Sequence, residues 1–306
     1  MEITNLTNLP LPLVEAIRND TYIRGDADYT VTQLIDPPQL VYLTKKYQDQ
    51  LTEDAADRIY SLLGQAIHTI LERSESTEDS MIERRLEALY DDISISGQID
   101  RVDFTREGQV IVQDWKVAST WEYIYGIKSS RIQQLNCYAQ LLRDDMDIWP
   151  TKLEVVYIFR DWQKSKATYA KKDDNYPKHQ VAVLEIPLWD RREALKFIKN
   201  KIKLHLAYPN HYLPHQIAEL NNPNTRCTDE ERWKNPTRWA VRNPEAKRAM
   251  RVFDTTEEAE MFMQNQKNSD LIIEKRTSEP KRCNNYCPVS EFCQQYQTEL
   301  QMEGVK

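Results

Sequence analysis

The sequence predicts an α/β protein with a small cysteine-bearing segment at its C-terminal end, and three observations carry that expectation. Two runs of strand-like alternation lie between Ile93 and Val117, joined by the turn Thr105-Arg106-Glu107-Gly108. Stretches with apolar residues at helical spacing flank them, one opening at Thr52 and one at Ser129 or Ser130. Near the end, Cys283, Cys287 and Cys293 crowd into one short segment. A chain of 306 residues with 40% hydrophobic content can bury one substantial core and an appendage. The expected division is a core over residues 1–221 and a cysteine-rich subdomain over residues 222–306.

In chain order, residues 1–50 read as short elements broken by Leu9-Pro10-Leu11-Pro12 and by Asp36-Pro37-Pro38, with Tyr29 to Ile35 between them. Thr52-Glu53-Asp54 then caps a long helix in which Ala55, Ile59, Leu62, Leu63, Ala66, Ile67, Ile70 and Leu71 form the stripe expected to be buried. His68 flanks that stripe, with Gly64 one turn before it. A mid-helix glycine costs about 1 kcal/mol relative to alanine. Gly64 is therefore expected where another backbone or a ligand comes close.

The hairpin holds the chemistry. Ile93, Ile95 and Ile99 alternate with Ser94, Ser96, Gln98 and Asp100, whereas Val102 and Phe104 fall on the even positions. This slip reads as a bulge or strand end that re-aims Asp100. Asp114 and Lys116, two apart on the return strand, share a face. A hairpin centred near Arg106 and Glu107 sets Asp100 roughly opposite Asp114. Carboxylates that close repel each other unless a proton or a hard divalent cation lies between them. A neighbouring ammonium can then orient water or neutralise charge building on a phosphoryl group. The same spacing also serves a surface hairpin with an Asp–Lys pair. Beyond the hairpin, Ser129 or Ser130 is expected to cap a helix buried through Ile132, Leu135, Ala139 and Leu142, on which Gln134 and Tyr138 share a face.

Taken together, Gly64-x-x-x-His68, Gly97-Gln98-Ile99-Asp100, Asp114-Trp115-Lys116 and Gln134-x-x-x-Tyr138 resemble, in order, the motifs of the PD-(D/E)XK nuclease superfamily and its RecB-like branch. The resemblance implies a restriction-endonuclease-like core, a mixed sheet flanked by helices. It implies Mg²⁺- or Mn²⁺-dependent hydrolysis of DNA, single-stranded or with single-stranded ends. It also implies an exonuclease of replication, recombination or repair, with replication or recombination proteins as partners. The alternatives are an endonuclease of the same fold or a weakly active DNA-binding or assembly protein. His68, Asp100, Asp114 and the Trp115 carbonyl are the implied metal holders. Lys116 would position water or stabilise charge, and Gln134 and Tyr138 would position the catalytic centre and the DNA strand. Stand-alone chains of this kind resemble those carried by tailed phages or their hosts.

Leu153 to Phe159 and Val181 to Ile186 read as further strands, and a helix from about Asp190 to Leu206 carries Lys196, Lys199, Lys201 and Lys203, a row that could track a phosphate backbone or simply be solvated. Pro209, Pro214 and Asn222-Pro223-Asn224 mark a boundary. In the last segment a hairpin around Asn243-Pro244 and a helix capped by Thr255 or Thr256 lead to the cysteines. Cys227, Cys283, Cys287 and Cys293 resemble the iron–sulfur staple of AddB-type and CRISPR-associated exonucleases, which implies a [4Fe–4S] cluster. The first gap is three residues where that family has two, and the separate cysteine follows the catalytic motifs instead of preceding them. Four thiolates suit Zn²⁺ equally well, and Cys137, within the buried helix, is the poorer ligand.

Composition excludes several classes. No G-x-x-x-x-G-K-[ST] loop occurs, so an ATPase motor is not expected. No apolar run of membrane-spanning length and no signal-peptide pattern is present, so a cytoplasmic protein without a membrane partner is expected, in the host cytoplasm if phage-encoded. The net charge of −7 is unevenly placed. Residues 1–100 carry 8 Lys and Arg against 19 Asp and Glu, which leaves 33 against 29 for the rest, enough for a locally basic groove.

Overall fold

A computed structural model describes residues 2–19, 25–73, 79–171, 174–210, 225–266 and 270–304. The chain divides into two compact units, Met1–Tyr42 with Gln48–Thr225, and Leu43–Tyr47 with Arg226–Lys306. The boundary expected at residues 221 and 222 lies outside the described residues.

From the N-terminus run β1 (Glu2–Thr4), α1 (Leu11–Arg18), β2 (Tyr29–Thr30), α2 (Val31–Ile35), α3 (Pro38–Lys46) and β3 (Thr52–Asp54). Thr30 caps α2 in a reciprocal box with Gln33, and Asp36-Pro37 ends it. Thr52-Glu53 does not begin a helix but pairs with β1, and Asp54 alone caps a single 3₁₀ turn, Ala55–Arg58, through Ala56 N–H. The long helix α4 (Ile59–Glu72) follows. Its expected stripe is not buried. Ala55 is, and Ile59 and Leu62 pack with it on Val14 and Ile17 of α1, but Leu63 and Ile70 are 40% and 59% exposed. The apolar face of α4 is wider than the strip that α1 and β6 cover. A β-carbon at Gly64 would meet nothing within 4 Å, so among the described residues no other backbone approaches it.

The core is built by β4 (Ser80–Tyr90), β5 (Ile93–Phe104), β6 (Val110–Ala118), the short helix α5 (Thr120–Ile124), α6 (Ser129–Met146), β7 (Lys152–Phe159), α7 (Lys164–Tyr169), β8 (Val181–Ile186) and α8 (Arg191–Asn210). The sheet is mixed, in the order β2-β5-β6-β7-β8 with β4 paired to the other edge of β5. Its β6–β7 neighbours are parallel, while β4–β5, β5–β6 and β7–β8 are antiparallel. No bulge re-aims Asp100. The register of β5 is constant against both β4 and β6, and Ile99 and Val102, on opposite faces, are both buried. The alternation slips because the sheet is covered on both sides, so neither face has to be polar.

Helix α6 is capped by neither serine side chain. Lys128 occupies the N-cap position without a side-chain bond. The helix is buried continuously from Gln134 to Leu142, and Cys137 lies in the core with its thiol pushed up to about 12 by burial. On α8, Lys199 pairs with Asp91 at 2.7 Å and Lys201 donates to Ile35 O at 2.8 Å, so two of the four lysines are committed within the protein.

The second unit has a three-stranded antiparallel sheet, β10-β9-β11, made from β9 (Arg238–Arg242), β10 (Arg251–Phe253) and β11 (Ile272–Arg276). Helix α9 (Thr256–Gln264), capped by Thr255, packs Ala259 and Phe262 against Val241 and Phe253. Then come α10 (Lys281–Asn285), a 3₁₀ turn and α11 (Gln294–Gly304). Among the described residues no helix is long and apolar enough to cross a membrane.

Candidate active site

The site forms where β5 and β6 part. Their ladder runs from Phe104 with Val110 to Arg101 with Gln113 and then stops, so Asp100 and Asp114 are the next facing pair, at the mouth of the fork. Beyond it β5 pairs with β2 instead. The N–H of Trp115 thereby loses its strand partner, and it donates to Asp100 Oδ2 at 2.6 Å. Asp100 is 7% exposed, and its carboxyl is pushed up to about 7 by burial and then by the facing Asp114, against the opposing pull of Lys116, His68 and the Trp115 amide. It holds a proton close to neutrality, which is one of the two ways paired carboxylates coexist.

Asp114 is 1% exposed. Lys116 Nζ donates to its Oδ1 at 2.7 Å, while its Oδ2 is buried with no hydrogen-bond partner. An orphaned buried carboxylate oxygen is costly and calls for a cation or water. Arg131, in the first turns of α6, pairs with Glu122 at 3.1 Å; burial would lower its pKa, but the charges of Asp114 and Glu122 outweigh that and raise it.

Helix α4 brings His68 to the same place. Its Nε2 lies 3.1 Å from Trp115 O, and its Nδ1 lies 3.3 Å from Glu83 Oε1 and 3.6 Å from Asp100 Oδ1. Both hydrogen-bond partners are acceptors, so both bonds form at once only in the imidazolium form. The Glu83 bond raises the His68 pKa, and the Asp100 charge adds to it, against burial and Lys116. The ligand atoms of His68, Glu83 and Asp100 lie within 4.8 Å of one another, the one such group among the described residues. One imidazole among several carboxylate oxygens and a carbonyl suits Mg²⁺ or Mn²⁺. The donor set and the orphaned Asp114 oxygen fit a divalent cation.

All four metal holders expected from the sequence, His68, Asp100, Asp114 and the Trp115 carbonyl, are thus brought to one fork with Lys116. Gln134 and Tyr138 are placed differently. They are buried, bonded to each other at 2.9 Å, and Tyr138 packs on Gly97, where a β-carbon would come within 2.7 Å of its ring. The pair meets β5 three residues before Asp100, and only glycine admits that approach.

Glu83 was not legible from any motif. The signal that reveals it is the two-residue loop Asp91-Asp92, both at positive φ as tight hairpins require, which sets Glu83 opposite Asp100 between the pairs Ile82–Arg101 and Arg84–Ile99. Arg131 was equally hidden.

No protein of curated function is significantly similar to this chain in sequence. Among solved structures it is similar to a crystal structure of SSO0001, at 18% identity over 63% of this chain and 84% of that one, with a TM-score of 0.43. The sequence profile of the PD-(D/E)XK nuclease superfamily matches residues 37–294, which include the whole fork and the cysteines that follow it. By that match, spanning well over half of its length, the chain belongs to the PD-(D/E)XK nuclease superfamily.

Proposed function

We propose that the chain is a Mg²⁺- or Mn²⁺-dependent deoxyribonuclease of the RecB-like branch, acting as an exonuclease on DNA ends. The observation that carries this reading is the buried, partnerless Oδ2 of Asp114 beside Asp100, His68 and Lys116. His68 Nε2, Asp100, Asp114 and the Trp115 carbonyl would hold the cation, which when bound activates water and neutralises charge on the phosphodiester. Lys116 Nζ, anchored by Asp114, donates to the attacking water or to the phosphoryl oxygen on which charge builds. Gln134 and Tyr138 act from beneath, bracing β5 through Gly97. The test is incubation with end-labelled single- and double-stranded DNA, linear and circular, with Mg²⁺, Mn²⁺ or EDTA. Linear DNA is expected to shorten only with metal, and circular DNA to survive. Cut circles would make the chain an endonuclease, and intact DNA throughout would leave a binding protein.

The second unit is proposed to carry an iron–sulfur cluster on Cys227, Cys283, Cys287 and Cys293. None of the four is in a disulfide. Gln295, two residues after Cys293, holds the Cys227 backbone by two hydrogen bonds of 3.1 and 2.9 Å, which favours Cys227 as the fourth ligand. Burial raises the Cys227, Cys287 and Cys293 thiols, and neighbouring cysteines raise each of them further. Anaerobically purified protein is expected to be brown, and Cys283→Ser to lose the colour and melt the second unit first, since metal supplies folding free energy to small units. Colourless protein with one equivalent of zinc would replace the cluster by a zinc staple.

A further inference from the structure

The contact between His68 and Glu83 points beyond the ligand set. A metal-binding imidazole needs one nitrogen free of its proton, and the partner of the other nitrogen decides which one. Glu83 Oε1 faces Nδ1 at 3.3 Å, with Asp100 Oδ1 farther off at 3.6 Å, while Nε2 is turned to the Trp115 carbonyl at 3.1 Å, the backbone oxygen between Asp114 and Lys116. The carboxylate is itself held. Gln98 Nε2 donates to Glu83 Oε2 at 2.6 Å, and Arg85 Nη2 donates to Gln98 Oε1 at 2.9 Å, so three residues of β4 and β5 form a chain that ends on the imidazole. Glu83 also sits at φ 49°, in left-handed space inside a strand whose register is regular on both sides. Such a conformation costs about 1–3 kcal/mol in a non-glycine residue and persists where the surroundings impose it.

We propose that Glu83 is a positioning residue for His68: it accepts the hydrogen bond of Nδ1–H and so keeps the proton on that nitrogen, so that Nε2 is the nitrogen presented to the divalent cation, and Gln98 with Arg85 holds Glu83 in place. This rests on the reading of His68 as a metal holder. Within that reading it assigns to Glu83 an indirect role, although the proximity of its oxygens to His68 and Asp100 would also allow direct ligation.

The experiment is a Mn²⁺ titration followed by electron paramagnetic resonance of the free ion, on the full chain and on His68→Ala, Glu83→Ala, the double variant and Gln98→Ala. Glu83→Ala is expected to weaken Mn²⁺ binding by about 10–100-fold, and to add less than about twofold in the His68→Ala background, because a residue that acts only through His68 has nothing left to position. Gln98→Ala, which leaves every ligand in place, is expected to give a smaller loss. Nitrogen-15 spectra of the histidine rings are expected to show His68 protonated on Nδ1 in the Mn²⁺-free protein above its pKa, and a shift toward the Nε2-protonated tautomer in Glu83→Ala. Full additivity of the two alanine variants would make Glu83 a direct ligand and overturn the inference, as would unchanged Mn²⁺ affinity in Glu83→Ala. Unchanged affinity in His68→Ala would instead overturn the metal assignment on which the inference stands.

Discussion

Replacing Lys116 by alanine, or Asp114 by asparagine, is expected to slow DNA cleavage by about a thousandfold while leaving DNA affinity and folding nearly unchanged. Both side chains stand on β6, two residues apart, and both turn into the fork. Removing one preorganised donor from the place where charge builds costs about 10²–10³ in rate. Losing a carboxylate that holds the cation forfeits up to several kcal/mol, about the same loss or more. Asparagine keeps the shape of Asp114 and an acceptor for Lys116, so the loss reports charge and not packing. Affinity for the phosphate backbone is spread over many contacts and is expected to persist. Single-turnover cleavage beside fluorescence anisotropy separates the two effects. Either variant cutting at close to the wild-type rate would remove the fork from the chemistry.

The second large effect concerns Asp100 and pH. Its carboxyl rises from an ordinary value of 3.8 to about 7 in the fold, through burial and the facing Asp114. Between those two values the folded protein binds more protons at this site than the unfolded chain does. Stability from this group therefore falls as pH rises through that window and levels off above about 7. Asp100→Asn, which keeps an acceptor for Trp115 N–H, removes the dependence. In metal-free protein the melting temperature of Asp100→Asn minus that of the wild type is expected to grow from pH 4 to pH 7. Saturating Mn²⁺ should selectively stabilise the wild type at pH 8, since the cation takes the place of the proton between the carboxylates. A difference that is flat with pH would mean that Asp100 is ionised throughout.

Local rules account for a good part of the molecule. The Thr30 and Thr255 caps, the antiparallel hairpin and the convergence of Asp100, Asp114 and Lys116 all depend on neighbours close in sequence. A short turn carries its register along both strands, so facing residues can be counted off. The burial of α4 could not be found this way. An apolar stripe shows that a helix can be buried, and the width of the groove beneath it decides how much is, which is why Leu63 and Ile70 stay exposed.

Period and spacing along one stretch of chain are enough to encode the α/β class and the acid–acid–lysine fork. The surroundings of that fork arise only when distant elements pack together. Glu83 behind His68, Tyr138 seated on Gly97, and Lys199 and Lys201 committed within the protein are contacts between separate segments of the chain. Such contacts are set by how helices and strands pack once the sheet is covered on both faces, and no local periodicity encodes that packing.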